Sequence, residues 1–185
     1  MNRSSSVTTI LVVVGCLLAG ASPSSAQGPY YAVPAWSQKL SASTRFVLVL
    51  FEVFCTPVCE QVATAVLDRE TGLVWERIPS SAASDFSDAR SICAKKVRAN
   101  RAGWRVPSVD ELASLRNQAL TSGVALPEGH PFINIVTTLP YWTSTASDPG
   151  EVYSIEFNAG ILSFLGSSSS TQSLHPVWCV RGGEK

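Results

Sequence analysis

Read for the spacing of apolar and polar side chains, the chain opens with an apolar stretch over residues 7–18, then runs through residues 27–44 with no clear period. Regularity begins after Thr44. Residues 46–54 are rich in Val, Leu and Phe with a single Glu, a composition that predicts a buried strand. Residues 63–68 and 72–77 predict two more strands, joined through Arg69-Glu-Thr-Gly72, a polar turn with glycine where a positive φ is easiest. Trp75 alternates with Val74 and Glu76 and reads as a core anchor.

Over residues 85–100 the period becomes helical. At about 100° per residue, Phe86, Ala89, Cys93 and Val97 share a stripe about 80° wide, with Lys95 opposite and Arg98 to one side, so Cys93 is expected to face the core. Ser108 with Glu111 three residues later forms a capping-box signature, which predicts a second helix running to residue 116. Pro107 stops the preceding segment from continuing helically. Residues 141–146, 151–157 and 161–165 predict short strands, the last two joined through Asn158-Ala-Gly160. A serine-rich loop is expected over residues 166–173 and a final strand over 175–181, ended by Gly182-Gly183. Strands, two helices, then more strands predict an α+β fold.

At 185 residues the chain has room for one domain with a proper core. The apolar opening follows a lone charge, Arg3, and ends ahead of Ser24-Ser-Ala26. That pattern predicts a signal peptide over residues 1–26, a linker or leader over 27–44 and a domain over 45–183. The apolar stretch is too short and Gly-interrupted for a good membrane span. A rival reading is a lipoprotein anchored at Cys16, because Val13-Val-Gly-Cys16 fits a lipobox. The first reading makes the protein secreted or periplasmic; the rival one ties it to a membrane by lipid.

Losing residues 1–26 removes one basic residue and no acidic one, which leaves 13 Lys+Arg against 14 Asp+Glu. That balance argues against nucleic acid as a partner. The mature cysteines are Cys55, Cys59, Cys93 and Cys179, an even set for which export makes disulfides the default. Residues four apart in a strand lie about 13 Å apart, so pairing Cys55 with Cys59 requires a turn there, which Pro57 allows. A zinc site is disfavoured because no C-x-x-C pair occurs and His130 and His175 stand apart.

Motifs for serine hydrolysis, phosphate binding and zinc proteolysis are absent, and both histidines sit beside proline in loops. The expectation is a non-catalytic chain without a cofactor. One positive signal is the basic run Lys95, Lys96, Arg98 and Arg101, whose spacing suits closely placed sulfates of an anionic glycan. The competing explanation is a helix end whose cations face the negative end of the helix dipole.

Four segments carry a resemblance. Val66-Leu-Asp-Arg-Glu-Thr-Gly-Leu-Val-Trp-Glu-Arg77, Gly103-Trp-Arg-Val-Pro-Ser-Val-Asp-Glu-Leu112, Tyr141-Trp-Thr-Ser-Thr145 and Trp178-Cys-Val-Arg-Gly-Gly183 together resemble the Lcl C-terminal domain family, over about residues 45–183. That family is a bacterial extracytoplasmic module, named after a collagen-like adhesin, and most of its members lack an established role. The resemblance implies a C-type-lectin-like fold with two helices and short antiparallel strands. It also places the first helix beside the last strand, and so implies a Cys93–Cys179 disulfide. The Gly-X-Y stalk of the adhesin is missing, as are the Glu-Pro-Asn and Trp-Asn-Asp tripeptides with which animal lectins hold calcium. The function it suggests is adhesion or recognition of anionic glycans, the alternative being an envelope assembly module that binds another protein.

Overall fold

The structure, a computed structural model, describes residues 41–55, 57–159 and 167–182. It is an α+β fold of two antiparallel sheets and short helices. In chain order the elements are α1 (Ala42–Arg45), β1 (Phe46–Cys55), β2 (Cys59–Asp68), β3 (Val74–Glu76), α2 (Phe86–Ala94), β4 (Trp104–Arg105), α3 (Val109–Ala113), β5 (Tyr141–Asp148), β6 (Glu151–Ile155), β7 (Ser167–Ser170) and β8 (Val180–Arg181). The larger sheet has the order β1-β2-β3-β8-β4 and the smaller one β5-β6-β7. No helix among the described residues is long and apolar enough to cross a membrane.

Strand alternation sends neighbouring residues to opposite sides of each sheet, and here both sides are filled. Val66, Trp75, Val180 and Tyr141 belong to one apolar cluster; their neighbours Ala65, Val74, Cys179 and Trp142 belong to or pack on a second. Trp178, fully buried, sits at the centre of the first cluster, with its ring 4.9 Å from that of Phe132 and 5.2 Å from that of Phe157. The Cys93–Cys179 disulfide ties α2 to the chain just before β8 inside the second cluster. Trp75 is the core anchor that its alternation predicts.

Two polar devices fix the connections. Arg45 is buried and grips Asp68 with two bonds, Nε to Oδ1 at 2.8 Å and Nη2 to Oδ2 at 2.7 Å, and also donates to the Ser114 carbonyl. It thereby joins the start of β1, the end of β2 and the end of α3. The turn after Asp68 closes with Gly72 at φ +72°, where a side chain would be strained. The capping box forms as expected, and Arg105 holds the same Glu111 with bonds of 2.7 and 2.6 Å.

Several boundaries differ from the sequence expectation. β1 is buried only near its base, because β3 is three residues long and pairs with β2 no further toward the tip than Ala65. β2 starts at Cys59 rather than residue 63, since the Cys55–Cys59 disulfide closes a hairpin there. α2 ends at Ala94, six residues early, because Lys96 turns inward to Glu76 and the chain reverses again at Ala99-Asn100; Val97 is consequently exposed. α3 stops at Ala113, and β6 at Ile155. Residues 167–170 form β7 instead of a loop, since hydroxyls of neighbouring strands pair across it. The final strand shrinks to β8, with His175 making only a bridge to Ser84. The strand expected over 161–165 lies outside the described residues, as do residues 1–40. Ala42 and Arg45 of α1, at the edge of the expected linker, are buried with the domain.

Candidate functional site

Beyond Ala65, β1 and β2 continue as a two-stranded arm without a third strand on either side among the described residues. Pairing keeps one antiparallel register from Phe46 opposite Asp68 to Cys55 opposite Cys59, with Leu50 alone left out of it, and the disulfide pins the tip. Leu50 has a φ of +53°. That left-handed residue interrupts the alternation, and it accompanies the packing of both Val49 and Leu50 on the second cluster. Past it the side chains lose their cover. Phe51 and Phe54 are each 51 % exposed, Val53 60 % and Val58 69 %.

Beside the arm lies a tight turn. Arg98 and Arg101 exchange backbone bonds of 3.0 and 2.8 Å, with Ala99 and Asn100 between them at φ +45° and +60°. Two positive φ values in a two-residue loop define the hairpin turn that suits a twisted ribbon. The Ala99 amide donates to Glu52 Oε1 at 2.7 Å and so docks the turn on β1. Between turn and strand is an open cleft of about 460 Å³, lined by Phe51, Glu52, Val53, Phe54, Val97, Ala99 and Asn100.

The four cations expected to bind a ligand are placed unequally. Lys95 caps α2 and is exposed, as is Arg101. Arg98 is partly exposed, with Nη2 3.9 Å from Glu76 Oε1. Lys96 is turned away from solvent into an ion pair with Glu76, whose side chain is almost completely buried. Glu76 also accepts from the Cys179 amide at 3.2 Å, while its carbonyl accepts from Trp178 Nε1 at 2.9 Å. Lys96 is therefore engaged in neutralising a core carboxylate, and the outward-facing basic set is Lys95, Arg98 and Arg101.

Other titratable groups are dispersed. His130 stacks near Phe132 on the first cluster and His175 packs 4.5 Å edge-on to Trp142 in the second. Burial holds both imidazoles below their ordinary pKa. Burial would raise the Glu111 carboxyl, but the hydrogen bonds from Arg105 and Ser108 outweigh it and hold the group low. Tyr141, buried, is pushed up to about 12. No group of three or more His, Cys, Asp or Glu side chains among the described residues is placed to hold a metal ion. Both disulfides, Cys93–Cys179 and Cys55–Cys59, are formed.

The exposed arm is the part that the sequence pattern missed. A run of Val, Leu and Phe signals burial equally well against a core or against a partner; the one sign of exposure was the Cys55–Cys59 spacing, which forces a hairpin and leaves its flanks beyond the sheet. A search of curated proteins finds no match to the chain. The model of the Lcl C-terminal domain matches residues 64–181, which takes in β3, both core clusters' tryptophans and β8, and leaves β1 and the outer half of β2 ahead of it. With most of its length matched, this chain belongs to the Lcl C-terminal domain family.

Proposed function

We propose that the protein is an exported bacterial binding module, without catalytic activity, that engages another protein of the cell envelope through the β1–β2 arm. The observation that carries this reading is the apolar, uncovered end of the arm, where Phe51, Val53, Phe54 and Val58 are half or more exposed on one hairpin. Contiguous exposed apolar groups mark interaction sites, whereas scattered ones do not. A lone two-stranded ribbon is marginal in water, so the tip disulfide serves to keep the surface formed before a partner arrives. Paired cysteines and the leader pattern support export; a lipid anchor at Cys16 is the alternative route to the same compartment.

The test is capture of envelope proteins by the mature chain and by its Phe51→Ser, Phe54→Ser double variant. The variant is expected to lose the captured partner while its Tm stays within about 2 °C, because exposed side chains add little to stability. Equal capture by the two would refute the arm as the contact surface. A second reading, binding of a sulfated or otherwise anionic glycan without calcium, is favoured by the outward placement of Lys95, Arg98 and Arg101. It predicts retention on heparin at low salt that Lys95→Ala with Arg101→Ala removes.

A further inference from the structure

We infer that β1 takes up an extended, acidic segment of a partner protein as a sixth strand of the larger sheet. This deepens the protein-binding reading above and rests on it. β1 is the terminal strand of that sheet, and no described strand lies beyond it. Natural edge strands are usually blunted by proline, by outward lysines, by a bulge or by brevity. From Phe51 to Cys55 β1 has no proline and no lysine, and its one charge, Glu52, is turned to the Ala99 amide. The positive φ at Leu50 breaks regularity on the inner side only, so a five-residue stretch remains for pairing, close to the ordinary length of a strand. The opposite edge of the arm is less open: Arg77 donates its backbone amide to the Thr64 carbonyl at 3.0 Å and a guanidinium N–H to that of Ala63 at 3.4 Å.

The acidic character of the occupant follows from the cations next to the other wall of the cleft, which itself is formed by Val97, Ala99 and Asn100. An added strand would run between β1 and the turn at Ala99-Asn100, with Arg98 and Arg101 flanking that turn and Lys95 at the preceding helix end. Glu60, the other carboxylate of the arm's distal half, lies on β2, on the far side of β1 from this edge. Backbone bonds would supply affinity and the apolar faces of Phe51, Val53 and Phe54 would select apolar side chains. Acidic side chains would complete the match. A second copy is a poorer occupant, because antiparallel pairing of two β1 strands brings the two basic turns to one seam. Residues 27–40 hold Lys39, two prolines and no Asp or Glu, and complement the turn no better.

The experiment selects binders from a displayed library of random twelve-residue peptides, with the chain from Gln27 onward as bait. Enriched peptides should alternate apolar residues with Asp or Glu. The best of them, synthesised, should slow amide exchange at residues 51–55 and bind at least tenfold more weakly to the Lys95→Glu, Arg101→Glu variant. N-methylating alternate amides of that peptide should abolish detectable binding. The inference is overturned if no peptide is enriched, if the enriched set lacks acidic residues, if the N-methylated peptide binds as well as its parent, or if protection falls outside β1. It is equally overturned if those amides of residues 51–55 that do not bond β2 are already protected in the free protein, concentration-dependent protection identifying a second copy as the occupant and concentration-independent protection the chain's own leader. Loss of envelope capture in the Phe51→Ser, Phe54→Ser variant without peptide protection of β1 would remove strand addition and leave the arm as the contact surface.

Discussion

Glu76 ties three parts of the structure together, since it meets Lys96, the Cys179 amide and, through its carbonyl, the Trp178 indole. Lys96→Met would take the nearer cation from that buried carboxylate and leave only Arg98, 3.9 Å away, and is expected to cost about 3 kcal/mol, read as a lower urea midpoint. Lys95→Met, one residue away and exposed, should change the midpoint little. The two histidines act in the other direction. Their folded-state pKa lies below the ordinary 6.5, so the unfolded chain binds more protons as pH falls beneath that value. Stability is expected to be full above pH 6.5 and to decline below it, and His130→Gln with His175→Gln should flatten the decline in Tm between pH 7 and 5.5. The sequence marked Trp75 and Cys93 correctly because alternation and helical period decide which side they face, whereas the partner of Cys93, Cys179, came from the family resemblance. It could not show Lys96 turning inward, because that depends on a carboxylate twenty residues earlier.

At the scale of elements the same contrast appears. Ser108 and Glu111 announce α3 because a cap is a local bond between near neighbours. The end of α2 is not local: Ala94-Lys-Lys-Val-Arg-Ala99 is made of good helix formers, and it is the Glu76 pairing and the docking of Ala99 on Glu52 that stop the helix. β7 is hidden for a like reason, since serine favours strands weakly and it takes pairing with β6, helped by hydroxyl bonds from Ser154 to Ser167 and Ser169 and from Ser168 to Glu151, to recruit it. Ala99, like Leu50, is an L-residue with a side chain at positive φ, here +45°. Ala99→Gly should therefore stabilise the protein by about 1 kcal/mol, measured by thermal or chemical unfolding, with the Arg98–Arg101 turn retained.

For the molecule as a whole, the two disulfides should differ in reach. Cys93–Cys179 spans 86 residues and joins α2 to the C-terminal segment, so its removal as Cys93→Ala with Cys179→Ala is expected to cost about 4–5 kcal/mol of global stability. Cys55–Cys59 closes only four residues at the tip. Cys55→Ser with Cys59→Ser should cost about 2 kcal/mol or less, with faster amide exchange confined to the arm. Comparable global losses from both pairs would show that the arm is cooperative with the core. The α+β class was legible from the order of periodic segments; the division into two sheets was not, because strands of two or three residues, such as β3, β4 and β8, are too short to show a period.

β8 is the last strand among the described residues, yet it lies between β3 and β4 and is preceded by Trp178 and Cys179, one in each of the two clusters. A chain that emerges N-terminus first, from a ribosome or through a translocation pore, can form the β1–β2 ribbon and its small ring early. It cannot join β3 to β4, or pack Trp75 against Trp178, until Arg181 has cleared the exit. Closure of the larger sheet is thus late in any delivery that runs from the N-terminus, and a chain exported in that direction would stay threadable until Arg181 had passed.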